Sequence, residues 1–160
     1  MMFTFGEKSE KELEGVEPQL VSVVRRALEL SPVDFSVHDG KRTLEEQRHY
    51  VKIGASKTMK SKHLYGLAVD LVPYIAGKLQ WDWEAIYKIA AAMKLAAKEQ
   101  SVRVRWGVVW DRELSRIGNG GKTLKETAAL LKHEGLAYNV RHPGTDFPDG
   151  PHYEIIRSKS

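Results

Sequence analysis

The chain has 160 residues, of which 42% are hydrophobic and 29% charged, as is typical of a globular protein and not of a disordered one. Its 25 basic and 21 acidic side chains give a net charge of +4, which is too small to indicate nucleic acid as the partner. The absence of cysteine excludes disulfide scaffolds, Cys-rich zinc ribbons and thiol nucleophiles.

The N-terminal stretch MMFTFGEKSEKELEGVEPQL lacks a basic segment followed by an apolar one, so we expect no secretory signal. No stretch approaches about 18 continuous apolar residues, which predicts no transmembrane helix and no stable membrane association. No repeat or long linker divides the sequence. We therefore expect residues 1–160 to form one domain.

Apolar spacing predicts helices over residues 16–30 and 83–99, and a further helix from about Leu124 that ends at Gly135. The motif TLEEQ predicts another helix over residues 44–53. Short apolar or alternating runs predict strands over residues 33–37, 68–74, 102–106 and 152–157. Helix starts are indicated by a capping box from Thr43 to Glu46 and by Asp82. Because helices and strands mix without a βαβ rhythm, we predict an α+β fold, with an antiparallel sheet flanked by helices.

An acidic residue, Asp70, interrupts the apolar run over residues 68–74. A buried carboxylate is costly unless it is paired or binds a metal, although an edge strand with Asp70 facing water is an alternative. His63 precedes it, and a tight turn at Gly66 would bring the imidazole toward the carboxylate. His and Asp together suit Zn²⁺, which in catalytic sites takes three protein ligands and one open position.

Of the remaining histidines, His152 is the best candidate for a third ligand, because it follows the turn FPDG and begins the last strand. Asp149 lies shortly before it, and Gly150-Pro151 between them are incompatible with a helix. A carboxylate on this turn could take a proton from zinc-bound water and return it to a leaving amine. The alternative is that DGP forms a simple turn.

The sequence SKHLYGLAVD, residues 61–70, fits the S-x-H-x-x-G-x-A-x-D signature of the zinc D-Ala-D-Ala carboxypeptidase and VanY-like superfamily at every fixed position. DGPH, residues 149–152, fits the D-x-x-H form of the second signature. GKRT, residues 40–43, looks like the segment that carries the substrate-polarising arginine of that superfamily. The N-terminal part of the chain further resembles the L-alanyl-D-glutamate endopeptidase endolysins of tailed bacteriophages.

This resemblance covers nearly the whole chain and implies a fold of the hedgehog and D-Ala-D-Ala-peptidase type. It implies that His63, Asp70 and His152 bind one catalytic Zn²⁺, that Asp149 is the general acid/base, and that Arg42 stabilises the oxyanion. The expected protein is a bacteriolytic zinc metallopeptidase that cleaves the L-alanyl-D-glutamate bond of peptidoglycan stem peptides. We expect the enzyme to be made in the cytoplasm and to reach the periplasmic wall after holin-type release. We also expect it to act as a monomer, without a separate wall-binding domain.

Three further residues are weaker candidates for the site. Ser61 could contact the substrate or support the ligands, or be an ordinary loop residue. Glu154 shares a strand face with His152 and could orient its ring, or be a solvated strand residue. Trp106 could pack against a substrate, or belong to the core.

One position departs from the family pattern, since Val109 stands where an aspartate is common. The segment over residues 111–145 resembles the family least and predicts a helix that flanks the cleft. Two other functions remain open: a D,D- or L,D-carboxypeptidase with the same site, and a non-catalytic wall-binding domain of the same fold. The second function would need neither Asp149 nor Arg42.

Overall fold

The structure is a computed structural model that describes residues 3–56, 58–144 and 148–157. Its helices are α1 (Glu7–Leu13), α2 (Pro18–Leu30), α3 (Leu44–Lys52), α4 (Trp83–Gln100) and α5 (Leu124–Arg141). Its strands are β1 (Phe35–Asp39), β2 (Ala68–Ile75), β3 (Lys78–Leu79), β4 (Val104–Trp106), β5 (Val109–Glu113) and β6 (His152–Ile155). Two 3₁₀ turns span Lys62–Tyr65 and Leu114–Arg116. The predicted α+β class is confirmed, and no helix within the described ranges is both long and apolar enough to cross a bilayer.

The antiparallel sheet has the strand order β1-β2-β6-β4-β5, and β3 pairs with the end of β2. The last strand of the chain therefore lies inside the sheet, between β2 and β4. In this register Asp70 is directly opposite His152. Two residues that are 82 positions apart in the sequence thus become neighbours.

Successive side chains along a strand point to opposite faces of the sheet, and one face packs into the core while the other carries the candidate site. Val69 and Tyr153 lie on the face that packs into the hydrophobic core with the apolar side chains of α2 and α4. Asp70, His152 and Glu154 alternate with these residues and lie on the opposite face. Burial of apolar surface contributes roughly 25 cal/mol per Å² to the free energy of folding. The apolar face of the sheet therefore stabilises the backbone that carries the polar side chains on the other face.

Helix α5 is longer than the sequence predicts, because the predicted end at Gly135 is wrong. The helix continues to Arg141. Gly135 lies inside it, and a Cβ atom there would be 2.7 Å from Val108 Cγ1. The glycine allows close packing of the helix and does not end it, and sequence spacing cannot distinguish these two roles.

Helix α1 and strand β5 were not predicted, and neither was the two-residue strand β3. The helix α1 has the sequence EKSEKEL and buries only Ser9 and Leu13, so its apolar period is too weak to detect. Strand β5 carries three charged residues in VWDRE and pairs with β4 through an irregular register. Both elements depend on tertiary contacts for their stability.

Candidate metal centre

Two imidazoles and one carboxylate converge on the polar face of the sheet. Asp70 Oδ1 lies 3.3 Å from His63 Nε2 and 3.3 Å from His152 Nδ1. One ligand-type atom from each of the three residues lies within 4.8 Å of the others. Zinc–ligand bonds of about 2.0–2.1 Å in a tetrahedral site separate the ligand atoms by roughly 3.3 Å. The spacing and the donor set therefore fit a zinc ion.

The outward nitrogen of each imidazole is paired, so the other nitrogen faces the centre. His63 Nδ1 donates to the carbonyl oxygen of Gly40 at 2.8 Å, since a carbonyl only accepts. His152 Nε2 donates to Glu154 Oε1 at 2.9 Å, which is the contact considered for Glu154 from the sequence. His63 Nε2 is buried and, apart from its contact with Asp70, has no hydrogen-bond partner within the described ranges. Such a lone pair is what a metal ion would use.

Local turn geometry brings His63 to the site. The Ser61 hydroxyl accepts a hydrogen bond from the His63 amide at 3.2 Å and begins the 3₁₀ turn. Gly66 ends the turn with a left-handed φ of 69°. A Cβ atom on Gly66 would lie 2.3 Å from the carbonyl oxygen of Gly15. The turn expected at Gly66 is therefore present, and in the structure Ser61 acts as its cap.

We expect Gly66→Ala to destabilise the fold by about 2 kcal/mol or more, because it combines left-handed strain with a clash against the Gly15 backbone. Gly54→Ala is a matched control, because Gly54 has a φ of 80° but nothing within 4 Å of its added Cβ atom. Urea denaturation of both variants measures the difference. Equal losses of unfolding free energy would show that the clash with Gly15 is relieved at no cost.

Arg42 is held by three neighbours that the sequence reasoning missed. Its Nε donates to Asp39 Oδ2 at 2.6 Å, and its Nη1 donates to Gln47 Oε1 at 2.9 Å. The guanidinium also stacks on the ring of Tyr50, 4.3 Å from its centroid. The third nitrogen, Nη2, is left 3.7 Å from Asp70 Oδ2. Arg42 thus points one donor toward the metal centre.

Asp149 lies on a turn that is fixed by its backbone. The Asp149 amide donates to the Gly107 carbonyl at 2.9 Å, and the His152 amide donates to the Asp149 carbonyl at 3.0 Å. Trp106 Nε1 donates to the carbonyl oxygen of Gly150 at 2.8 Å. Trp106 is 0% exposed, so its surface is not available to a substrate, and its contact instead supports this turn.

The charges of the centre act on the carboxyl group of Asp149. Burial raises the pKa of Asp149, and the carboxylate of Asp70 raises it further. His152, His63 and Arg42 lower it in part. By contrast, the pKa of Asp70 is well below its usual range, because hydrogen bonds from His152 and His63 outweigh its burial. Two acids of one site therefore have pKa values displaced in opposite directions.

Trp110 is the aromatic residue that lines the centre. Its ring lies 5.3 Å from that of His152 at an interplanar angle of 37°, and it is partly buried. Val109, its neighbour, is fully buried in the core. His38 and His49 are exposed and do not join the cluster of possible metal ligands.

These features define a small α+β protein with a candidate hydrolytic metal centre. A sequence profile described as phage L-alanyl-D-glutamate peptidase matches residues 1–125. The L-alanyl-D-glutamate peptidase of Escherichia phage T5 is 44% identical over 115 residues, which cover 69% of this chain and 84% of the relative. That of Listeria phage A118 is 37% identical over 82 residues, which are 51% of this chain and 28% of the relative.

Among solved structures, the Serratia marcescens L-Ala D-Glu endopeptidase ChiX is similar, with a TM-score of 0.68 and 33% identity. The match covers 96% of this chain and 90% of that one. The chain belongs to the phage L-alanyl-D-glutamate peptidase family, which confirms the resemblance seen in its sequence. The family profile ends before Asp149 and His152.

Proposed function

We propose that this protein is a zinc-dependent endopeptidase that hydrolyses the L-alanyl-D-glutamate bond of peptidoglycan stem peptides and so lyses the bacterial wall. The observation that carries the proposal is Asp70 Oδ1 lying equally close to His63 Nε2 and His152 Nδ1, in a chain of this peptidase family. The Nε2 atom of His63 is buried and has no hydrogen-bond partner among the described residues apart from Asp70, which supports a metal ion as the common partner of the three side chains.

The site residues would divide the work as follows. His63, Asp70 and His152 hold the ion, and zinc, when bound, supplies Lewis-acid chemistry that polarises a carbonyl and acidifies water. Asp149, whose pKa is raised, accepts a proton from the attacking water as the carbon–oxygen bond forms. Asp149 then returns the proton to the amine as the carbon–nitrogen bond breaks. Arg42 Nη2 donates to the carbonyl oxygen as its negative charge develops.

The bond is tested by digesting purified sacculi and weighing the released fragments, with and without a chelator. An L-alanyl-D-glutamate cut leaves only L-Ala on the glycan and releases a stem that begins with D-Glu. We expect these products to vanish on chelation and to return when zinc is restored. Loss of one C-terminal residue would instead identify a carboxypeptidase, and the absence of any product would favour a non-catalytic wall-binding domain.

For the site of action, we propose that the protein is made in the host cytoplasm of an infected bacterium and meets the wall after holin-type release. Its membership in a phage peptidase family supports this order of events. The substrate is then the stem peptide of the periplasmic wall.

A further inference from the structure

Gln47 is polar but completely buried, and it lies beside Arg42. Its amide oxygen accepts from Arg42 Nη1 at 2.9 Å. Its amide nitrogen donates to Ser56 Oγ at 2.8 Å and to the carbonyl oxygen of Thr58 at 2.5 Å. Both ends of the amide are therefore paired, as a buried amide requires, but with partners from two different parts of the chain.

The second set of partners belongs to the connecting segment, residues 53–56 and 58–61, which joins α3 to the turn of His63. This segment is exposed except for half-buried Ser56 and Ser61. Two of its amides donate to the carbonyl oxygen of Tyr50 at 2.9 and 3.1 Å. Its last residue caps the turn that carries His63. The amide nitrogen of Gln47 thus anchors an exposed segment from the protein interior.

These contacts form a closed ring that includes Arg42 and His63. The backbone amide of Arg42 donates to the carbonyl oxygen of His63 at 2.9 Å. The Arg42 side chain reaches Gln47, Gln47 reaches the connecting segment, and that segment returns to His63. The hydrogen bond from Arg42 to Asp39 uses only the Nε atom of the guanidinium. Tyr50 stacks on one face of the guanidinium, and the contact at Nη1 is the second hydrogen bond within its plane that directs Nη2 toward the centre.

We propose that Gln47 is a positioning residue for Arg42 and couples its orientation to the connecting segment. The amide oxygen of Gln47 sets the direction of Arg42 Nη2, and the amide nitrogen holds the segment against α3. The inference rests on the proposed catalytic role of Arg42 in peptide hydrolysis. A displacement of the segment is transmitted through one buried side chain to the electrophilic donor.

Two substitutions separate the two ends of the amide. Gln47→Met removes both ends at similar length, whereas Gln47→Glu keeps an acceptor for Arg42 and removes the donor. We expect Gln47→Met to lower kcat about 10- to 100-fold with KM changed less than about 2-fold, because misplacement of a catalytic group costs rate and not affinity. Gln47→Glu should retain kcat within about 5-fold, since a carboxylate still accepts from Nη1.

The readouts are kcat and KM on a defined stem peptide, zinc content, and amide hydrogen exchange of the connecting segment. Exchange should be faster in both Gln47 variants, because each loses the amide nitrogen that donates to Ser56 and Thr58. Gln19→Met, at an exposed glutamine of α2, is the matched control and should match the unmodified protein in every readout.

Unchanged kcat in Gln47→Met, or equal loss of kcat in the Met and Glu variants, would overturn the proposed positioning of Arg42. Unchanged exchange would overturn the coupling to the connecting segment. If Gln47→Met does not fold, the Gln47→Glu variant decides: faster exchange of the segment with kcat retained within about 5-fold supports the proposal, and unchanged exchange or a larger loss of kcat overturns it. An unmodified protein that fails to hydrolyse any stem peptide would instead refute the proposed function.

Discussion

Asp149→Ala is expected to lower kcat by about 10²- to 10⁴-fold while the protein keeps its zinc. The carboxyl group lies among the charged groups of the centre but is not one of the three clustered ligands. Its raised pKa, caused first by burial, makes it a better proton acceptor and a more competent proton donor near neutral pH than an ordinary aspartate. The measurement pairs turnover of a stem peptide with the zinc content of the purified variant.

Two comparisons make this result specific to the proton transfer. His152→Ala should lose both zinc and turnover, because it removes a member of the cluster. Glu7→Gln, which neutralises an exposed carboxylate of α1, should change neither. An Asp149→Ala protein with full activity would refute the assignment of Asp149 as general acid/base, and one that lost zinc would show that Asp149 supports the metal.

Local signals in the sequence were enough for most of the fold. The capping box predicted at Thr43 is present in full, with both reciprocal hydrogen bonds to Glu46. Asp82 caps α4 by accepting from the Ala85 amide. Gly135 was misread because its role is a contact with Val108, on a different element. Caps that form within one turn of a helix could be predicted from the sequence, whereas close packing between two elements could not.

The same division applies to the candidate site. Residue types and flanking turns make His63, Asp70 and His152 candidate metal ligands. The pairing of β2 with β6 then places Asp70 beside His152, and the 3₁₀ turn brings His63 to them. The sequence does not distinguish Trp106 from Trp110 as the aromatic residue of the site. Trp106 and Trp110 lie on opposite faces, because the tight connection between β4 and β5 and its irregular register set which residue points to the core.

The partners of Arg42 could not be found from the sequence for a different reason. Asp39 ends a strand and Gln47 lies inside α3, and only the placement of the helix against the strand brings both to one guanidinium. Gln47 is the buried residue of a helix whose sequence, LEEQRHYVK, is mostly polar, so no apolar pattern marks it or identifies its partner.

Asp70→Asn is expected to abolish turnover by removing the metal. The carboxylate presents Oδ1 to both imidazoles and Oδ2 to Arg42, and a neutral amide can satisfy only part of this set. Substitution of a residue that only hydrogen-bonds to a metal ligand lowers metal affinity about 10- to 100-fold. Because Asp70 is a proposed ligand itself, zinc affinity should fall by more than this. Calorimetric titration of zinc measures this loss. Asp34→Asn, at a half-buried acid outside the cluster, should bind zinc normally.

The same variant should change how the stability of the metal-free protein depends on pH. Burial opposes the charge on His152, but hydrogen bonds to Asp70 and Glu154 outweigh it and raise the pKa of His152 to about 10 from 6.5. Because the folded pKa is the higher one, this contribution to unfolding free energy is complete below pH 6.5 and is lost as the pH rises toward 10. Asp70→Asn replaces one of the two charged acceptors with a neutral amide and should flatten that decline in urea denaturation between these limits. An unchanged decline would mean that Asp70 does not set the protonation of His152.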